Sequence, residues 1–169
     1  MKNIFLIRHA KSSWDDPDKD DFERVLNSRG EKDAPKMGKH LKDRRLTPDV
    51  VLTSPAKRAF DTCKVITKIL DFDPKKIISD HRLYHASEDT LFNIIRELKD
   101  HPKDDAENIL LFGHNPGLTD FANRLMNGAI ENIPTSGIVS ITLHIKKWSD
   151  AQWGCGEMMF FDFPKSQKD

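Results

Sequence analysis

Two stretches of this chain are apolar without alternation, Ile4-Phe5-Leu6-Ile7 and Ile109-Leu110-Leu111-Phe112. Successive strand side chains point to opposite faces, so a strand with one wet face alternates polar and apolar residues. An unbroken apolar run belongs to a strand covered on both faces, the usual situation in a parallel sheet flanked by helices. Between and after these runs lie segments whose apolar residues fall three and four apart, the period of an amphipathic helix. Short strands alternating with helices predict an α/β fold, a three-layer sandwich with a mainly parallel central sheet.

The pattern predicts a first strand over Asn3–Arg8, then a long Asp-rich polar loop over 10–27. A helix is expected over about 30–44, with Ala34, Met37 and Leu41 facing inward and Pro35 near its first turn or bending it. The second strand is Asp49–Thr53. Ser54-Pro55 reads as an N-cap with proline at the first helical position, opening a helix to about Leu70 with Ala59, Cys63, Ile66 and Leu70 inside. Lys76–Ser79 reads as a short strand, and Ser87 as the cap of a helix that buries Leu91, Ile94, Ile95 and Leu98. Asn108–Gly113 is the central strand. Asn115 and Pro116 then cap and open a helix with Leu118, Phe121, Ala122 and Leu125 on its core side. Gly137–Ile145 and Met158–Phe163 complete the strands, the last as an edge strand, and Lys165–Asp169 reads as a frayed tail.

With 169 residues the chain is long enough for one domain with a substantial core, spanning 1–169 and without internal repeats. Lys+Arg and Asp+Glu are both 27, so no general basic surface for nucleic acid is expected, and any attraction for anions must be local. No apolar run approaches membrane-spanning length, and Ile4–Ile7, stopped by Arg8, is too short for a signal peptide. Cys63 and Cys155 lie far apart with no metal or redox spacing, which fits a reduced, cytoplasmic protein. The sequence sets no oligomeric state.

Arg8-His9 follows the first apolar strand, His114 follows the central one, and Arg58 falls in the first turn after the second. In α/β sheets, ligands bind beyond the carboxyl ends of the strands, so these four residues are expected on one rim. Neutral imidazole is a competent nucleophile toward phosphorus, and the planar guanidinium fork of arginine matches phosphoryl oxygens. His9 is therefore the candidate nucleophile, with Arg8, Arg58 and His114 holding the phosphoryl group and helix N-termini near Pro55 and Pro116 assisting. Ser12 and Asn115, in the same segments, are counted as substrate contacts. The aspartates at 15, 16, 18, 20 and 21 read as solvated loop carboxylates. His40, His81, His101 and His144 share no ligand spacing and read as structural. Trp14 reads equally as lining the entrance or closing the core.

Leu6-Ile7-Arg8-His9-Ala10-Lys11-Ser12-Ser13-Trp14, Thr53-Ser54-Pro55-Ala56-Lys57-Arg58-Ala59 with Thr62, Gly113-His114-Asn115-Pro116-Gly117 and Thr135-Ser136-Gly137 resemble the motifs of the histidine phosphatase superfamily. The likeness is to its small SixA-like phosphohistidine phosphatase branch. Arg24-Val25-Leu26-Asn27 before Arg29-Gly30 also resembles a loop of the family, which implies Arg24 as an additional anion ligand. The resemblance implies a phosphoglycerate-mutase-like fold, a transient phosphohistidine at His9, no metal and no organic cofactor. It also implies a partner that is either a phosphorylated protein carrying phosphohistidine or a small phosphorylated molecule, with no role for nucleic acid or membrane. Where many superfamily members carry an acidic proton donor, this chain has His85, in Leu83-Tyr84-His85-Ala86. An alkoxide leaves poorly without a proton, whereas the imidazole of phosphohistidine leaves readily. The leading expectation is thus a phosphohistidine phosphatase, with His85 as a possible acid. The alternatives are a small-molecule phosphomonoesterase and a non-catalytic phosphate-binding module.

Overall fold

The structure is a computed structural model that describes residues 1–100 and 105–166. Six strands form one sheet in the order β3-β2-β4-β1-β5-β6. They are β1 (Lys2–Arg8), β2 (Val50–Thr53), β3 (Ile78–Ser79), β4 (Asn108–Gly113), β5 (Ile138–Leu143) and β6 (Gly156–Asp162). The first four run parallel, and β5 is antiparallel to both β1 and β6. The sheet is thus mainly parallel, as the unalternated runs require, and β6 is an edge strand.

The helices are α1 (Ser28–Asp43), α2 (Lys57–Ile69), α3 (Glu88–Arg96) and α4 (Gly117–Met126). Alternate residues of each strand feed two cores. Phe5, Ile7, Val51, Leu110 and Phe112 pack with Met37 and Leu41 of α1 and Cys63 and Ile66 of α2. Ile4, Leu6, Leu52, Ile109 and Leu111 pack on the other face with Leu91, Ile94, Ile95 and Leu98 and with Leu118, Phe121, Ala122 and Leu125 of α4. The apolar strand runs are therefore explained by α1 and α2 on one face and α3 and α4 on the other. Burying a Leu, Ile or Phe side chain contributes about 1.5–3 kcal/mol, so these two layers are the main source of stability.

Several expected boundaries are corrected. Ser54 does not cap α2. Its hydroxyl accepts the Ala56 N–H in a turn before the helix, which opens at Lys57 with no side-chain cap. α1 begins earlier than expected, at Ser28, because Asn27 accepts the Gly30 N–H, and Pro35 consequently lies inside the helix, past its first turn. Pro116 precedes α4 rather than opening it, while Asn115 accepts from the Thr119 N–H and hydroxyl. The strand expected at Lys76 shrinks to Ile78–Ser79 because Asp73 caps a tight turn over Pro74–Lys76. Leu70 is only partly buried. Of the expected tail, Lys165 and Ser166 complete a 3-10 turn that begins at Pro164, and the remainder lies outside the described residues. Among the described residues no helix is long and apolar enough to cross a membrane.

Candidate active site

The register between β1 and β4 builds the site. Arg8 lies opposite Gly113 in this parallel pair, so the next residues, His9 and His114, leave the sheet side by side. The His9 N–H donates to the Gly113 carbonyl at 3.2 Å, and the two imidazole centroids are 5.2 Å apart. β2 lies on the other side of β4, with Thr53 opposite Phe112. The chain then carries Ser54 to 2.8 Å from His114 Nε2 and Arg58 into the first turn of α2. Thr62 ties two of these segments together: its hydroxyl accepts the Ala10 N–H and donates to the Arg58 carbonyl.

Arg8, His9, Ser12, Arg24, Arg58, His85, His114 and Asn115 line a single pocket of about 510 Å³, within the usual range for ligand sites. Every expected site residue is therefore brought to one rim. His9 is almost wholly buried, and its Nδ1 is 2.8 Å from the Ala10 carbonyl. A carbonyl can only accept, so Nδ1 carries the proton, and the neutral ring keeps its lone pair on Nε2. Burial, reinforced by the nearby Arg58, Arg8 and Arg24 charges and opposed by that hydrogen bond, pushes the His9 pKa down to about 4. Burial and the neighbouring His9 and Arg58 likewise hold His114 far below the ordinary histidine value. Burial and Arg58 lower the Arg8 pKa as well.

Arg8 Nε, Arg58 Nε, His114 Nδ1 and Ser136 Oγ are buried side-chain atoms without a hydrogen-bond partner among the described residues. Such groups are rare and costly, and three of these four belong to pocket residues. Their chemistry, two guanidinium N–H donors and an imidazole nitrogen, suits an anion.

Asp21 departs from expectation. It is not a solvated loop carboxylate but a hub of the pocket. It accepts from Arg58 at 2.9 Å, from Arg24 at 3.0 Å and from the Tyr84 hydroxyl, and it pairs with His85 Nε2 at 3.0 Å. Partial burial works to raise its pKa, but the hydrogen bonds from Tyr84, Arg58, His85 and Arg24 outweigh that and hold it far below the usual carboxylate range. Nothing in residue spacing singles out Asp21 among five loop aspartates. Asp20 does so in the fold, by capping the short turn Asp21–Glu23 against the rim.

Arg24 faces the pocket as expected, donating to Ser13 and Ser12 and lying 3.2 Å over the Trp14 ring. Trp14 is 76 % exposed, so it lines the entrance rather than closing the core. Asn115 reaches the rim, but its amide donates to Ile133 and Asn132 and chiefly braces that loop. His40 pairs with Asp162, His144 with Glu157, and His81 stacks on Phe22, all structural contacts; His101 lies outside the described residues. Among the described residues no group of His, Cys, Asp and Glu is arranged to hold a metal ion.

A mainly parallel six-stranded sandwich with two histidines at adjacent strand ends is the fold of the histidine phosphatases. The chain belongs to the histidine phosphatase superfamily, and the sequence model of its branch 1 matches residues 4–87. The fold is shared with the protein histidine phosphatase SixA solved with tungstate (TM-score 0.82, 23 % identity, 98 % of this chain and 99 % of that one). It is also shared with an Agrobacterium tumefaciens protein assigned as a phosphohistidine phosphatase SixA (TM-score 0.78, 25 % identity, 96 % of this chain and 98 % of that one). An uncharacterised chloroplastic protein of Arabidopsis thaliana is 26 % identical over 154 residues, 89 % of this chain and 70 % of that protein.

Proposed function

We propose that this chain is a single-domain phosphohydrolase, acting on phosphohistidine carried by a protein through a covalent phosphohistidine intermediate at His9. One observation carries the reading: an imidazole whose free lone pair is on Nε2 stands beside unpartnered, buried cationic donors. Nε2 attacks phosphorus as the bond to the departing imidazole nitrogen breaks. Arg8, Arg58 and His114 take up the charge on the phosphoryl oxygens, and water then releases phosphate and regenerates neutral His9. His114 Nε2 is engaged by the Ser54 hydroxyl while Nδ1 has no partner among the described residues; in the tautomer where Ser54 donates, the His114 proton sits on Nδ1, available to an oxygen of the bound group. Ser12 and Asn115 hold the walls of the pocket. The likeness to SixA proteins supports a protein-borne substrate, as does the exposed Trp14 ring at the entrance, which a large substrate can cover. As written, the reaction calls for no metal or cofactor. His85 in the pocket wall favours a second reading, a small-molecule phosphomonoesterase of the same superfamily.

Rapid mixing with a phosphoramidate tests the proposal. A burst of the leaving amine and a phosphate label on His9 are expected, and both vanish in His9→Ala while its far-UV dichroism stays native. Wild-type turnover by His9→Ala would overturn the assignment of the nucleophile, and binding without turnover by the wild type would make this chain a phosphate-binding module.

A further inference from the structure

Lys11 and Thr135 do not face the phosphoryl pocket alone. Both also line a second cavity of about 490 Å³, so the two spaces adjoin at these side chains. We infer that the second cavity is a subsite for an acidic side chain that neighbours the phosphohistidine on the substrate protein, held by Lys11, Arg29 and Lys165. The inference rests on the phosphohydrolase reading and names the kind of protein segment that the site takes.

Separate parts of the chain meet at this cavity. Lys11 follows β1, Arg29 and Asp33 lie in the first two turns of α1, and Lys165 follows β6. Pro134, Phe163 and Pro164 add apolar wall beside these charges. The boundary with the phosphoryl pocket is held by backbone hydrogen bonds. The Asn27 N–H donates to the Lys11 carbonyl at 3.0 Å, and the Ser136 N–H, next to Thr135, donates to the His9 carbonyl at 3.1 Å. The two spaces are therefore set against each other before a substrate arrives, which lowers the ordering cost of binding across both.

The charges around the cavity do not cancel. Among the described residues three cations and one carboxylate line it, so two positive charges remain, in a chain whose basic and acidic residues balance. Arg29 Nε donates to Asp33 Oδ2 at 3.1 Å, which neutralises that pair and engages the guanidinium. Lys11 and Lys165 are exposed and have no ion-pair partner among the described residues. A lysine ammonium is a point charge on a flexible stem, whereas a free planar guanidinium is the better match for a phosphoryl group. With its guanidinium shared with Asp33 and its free charges on lysines, the cavity suits a single carboxylate. An Asp or Glu side chain brings methylenes for the apolar wall as well. A protein segment with phosphohistidine at His9 and an acidic neighbour fills both spaces, while a molecule with one phosphoryl group fills only the first.

The test is kcat/KM for short phosphohistidine peptides in which one Glu is moved stepwise along an otherwise uncharged sequence, with Gln and Lys as replacements at each place. At the favoured place Glu should raise kcat/KM about 10-fold over Gln, the scale of two or three exposed ion pairs, and Lys should lower it. The advantage of Glu should shrink when sodium chloride is raised from about 0.05 to 0.5 M. Lys165→Gln should cut the advantage to about 3-fold, and Lys165→Glu should abolish it. Both variants should keep wild-type turnover of a small phosphoramidate, because Lys165 lies outside the phosphoryl pocket. An acidic preference undiminished in Lys165→Glu, or equal turnover of all the peptides, with the His9-dependent phosphoramidate burst intact, would overturn the subsite alone. A sugar bisphosphate that outruns every peptide and slows in Lys165→Glu would make the occupant a second phosphate and overturn the acidic segment. Loss of the burst in the wild type would overturn the phosphohydrolase reading itself.

Discussion

At the residue scale the site is a device for keeping an imidazole neutral among cations. His9 is 7 % exposed, and its neutral form persists down to about pH 4. In the unfolded chain an imidazole takes up a proton below about pH 6.5. Between those two values the unfolded state binds more protons than the folded state, so stability falls as pH falls. The slope from His9 is ~1.4 kcal/mol per pH unit, or ~3 kcal/mol over the whole window, with none of it lost above pH 6.5. Urea unfolding of the wild type at pH 7 and pH 5 should show this loss, and His9→Gln should lose less over the same interval. Equal slopes would mean that His9 is protonated in the fold. Part of this arrangement was legible in the sequence: Arg8, His9 and His114 each follow an apolar run, and Arg58 the next strand. Asp21 was not legible, because its role depends on which of several neighbouring aspartates the loop turns toward Arg58 and Tyr84.

At the element scale the segments bearing the site are set by close backbone contacts. A Cβ on Gly117, at the start of α4, would lie 1.9 Å from the Ala86 carbonyl oxygen, and one on Gly30, in the first turn of α1, 2.1 Å from the Lys11 carbonyl oxygen. The two helices thus press on the segments that carry His85 and the phosphate-side loop. Gly117→Ala must move Ala86, and with it the neighbouring His85. Overpacking of this kind costs about 1–3 kcal/mol. The expected result is a lower urea midpoint together with a loss of phosphoramidate turnover; unchanged stability and activity would show that the contact is loose. The apolar runs located β1 and β4 to within a residue, and helical spacing found the inner faces of all four helices. Helix starts were less legible. Asn27 outcompeted a later start for α1, and Ser54, a good cap by type, was taken up by a turn and by His114. Capping side chains have several backbone partners to choose from, and tertiary position decides among them.

At the scale of the whole molecule, charge is balanced while the pocket is not. The chain has 27 basic and 27 acidic side chains, yet Arg8, Lys11, Arg24 and Arg58 meet at a pocket whose wall holds the acids Asp15 and Asp21. A neutral molecule has little long-range field to draw an anion in, so attraction arises mainly within the pocket. Salt screens charges separated by more than about 10 Å at 0.1 M and about 3 Å at 1 M, and it weakens contacts made at hydrogen-bond distance in a buried site far less. Inhibition by inorganic phosphate should therefore weaken only several-fold when sodium chloride is raised from about 0.05 to 0.5 M. Kinetics against a phenyl phosphate substrate measure this directly. A hundredfold loss over that range would mean that a surface field, and not the arginines at the strand ends, recruits the anion. The rim would then belong to an extended anionic partner rather than to one phosphoryl group held between Arg8, Arg58 and His114.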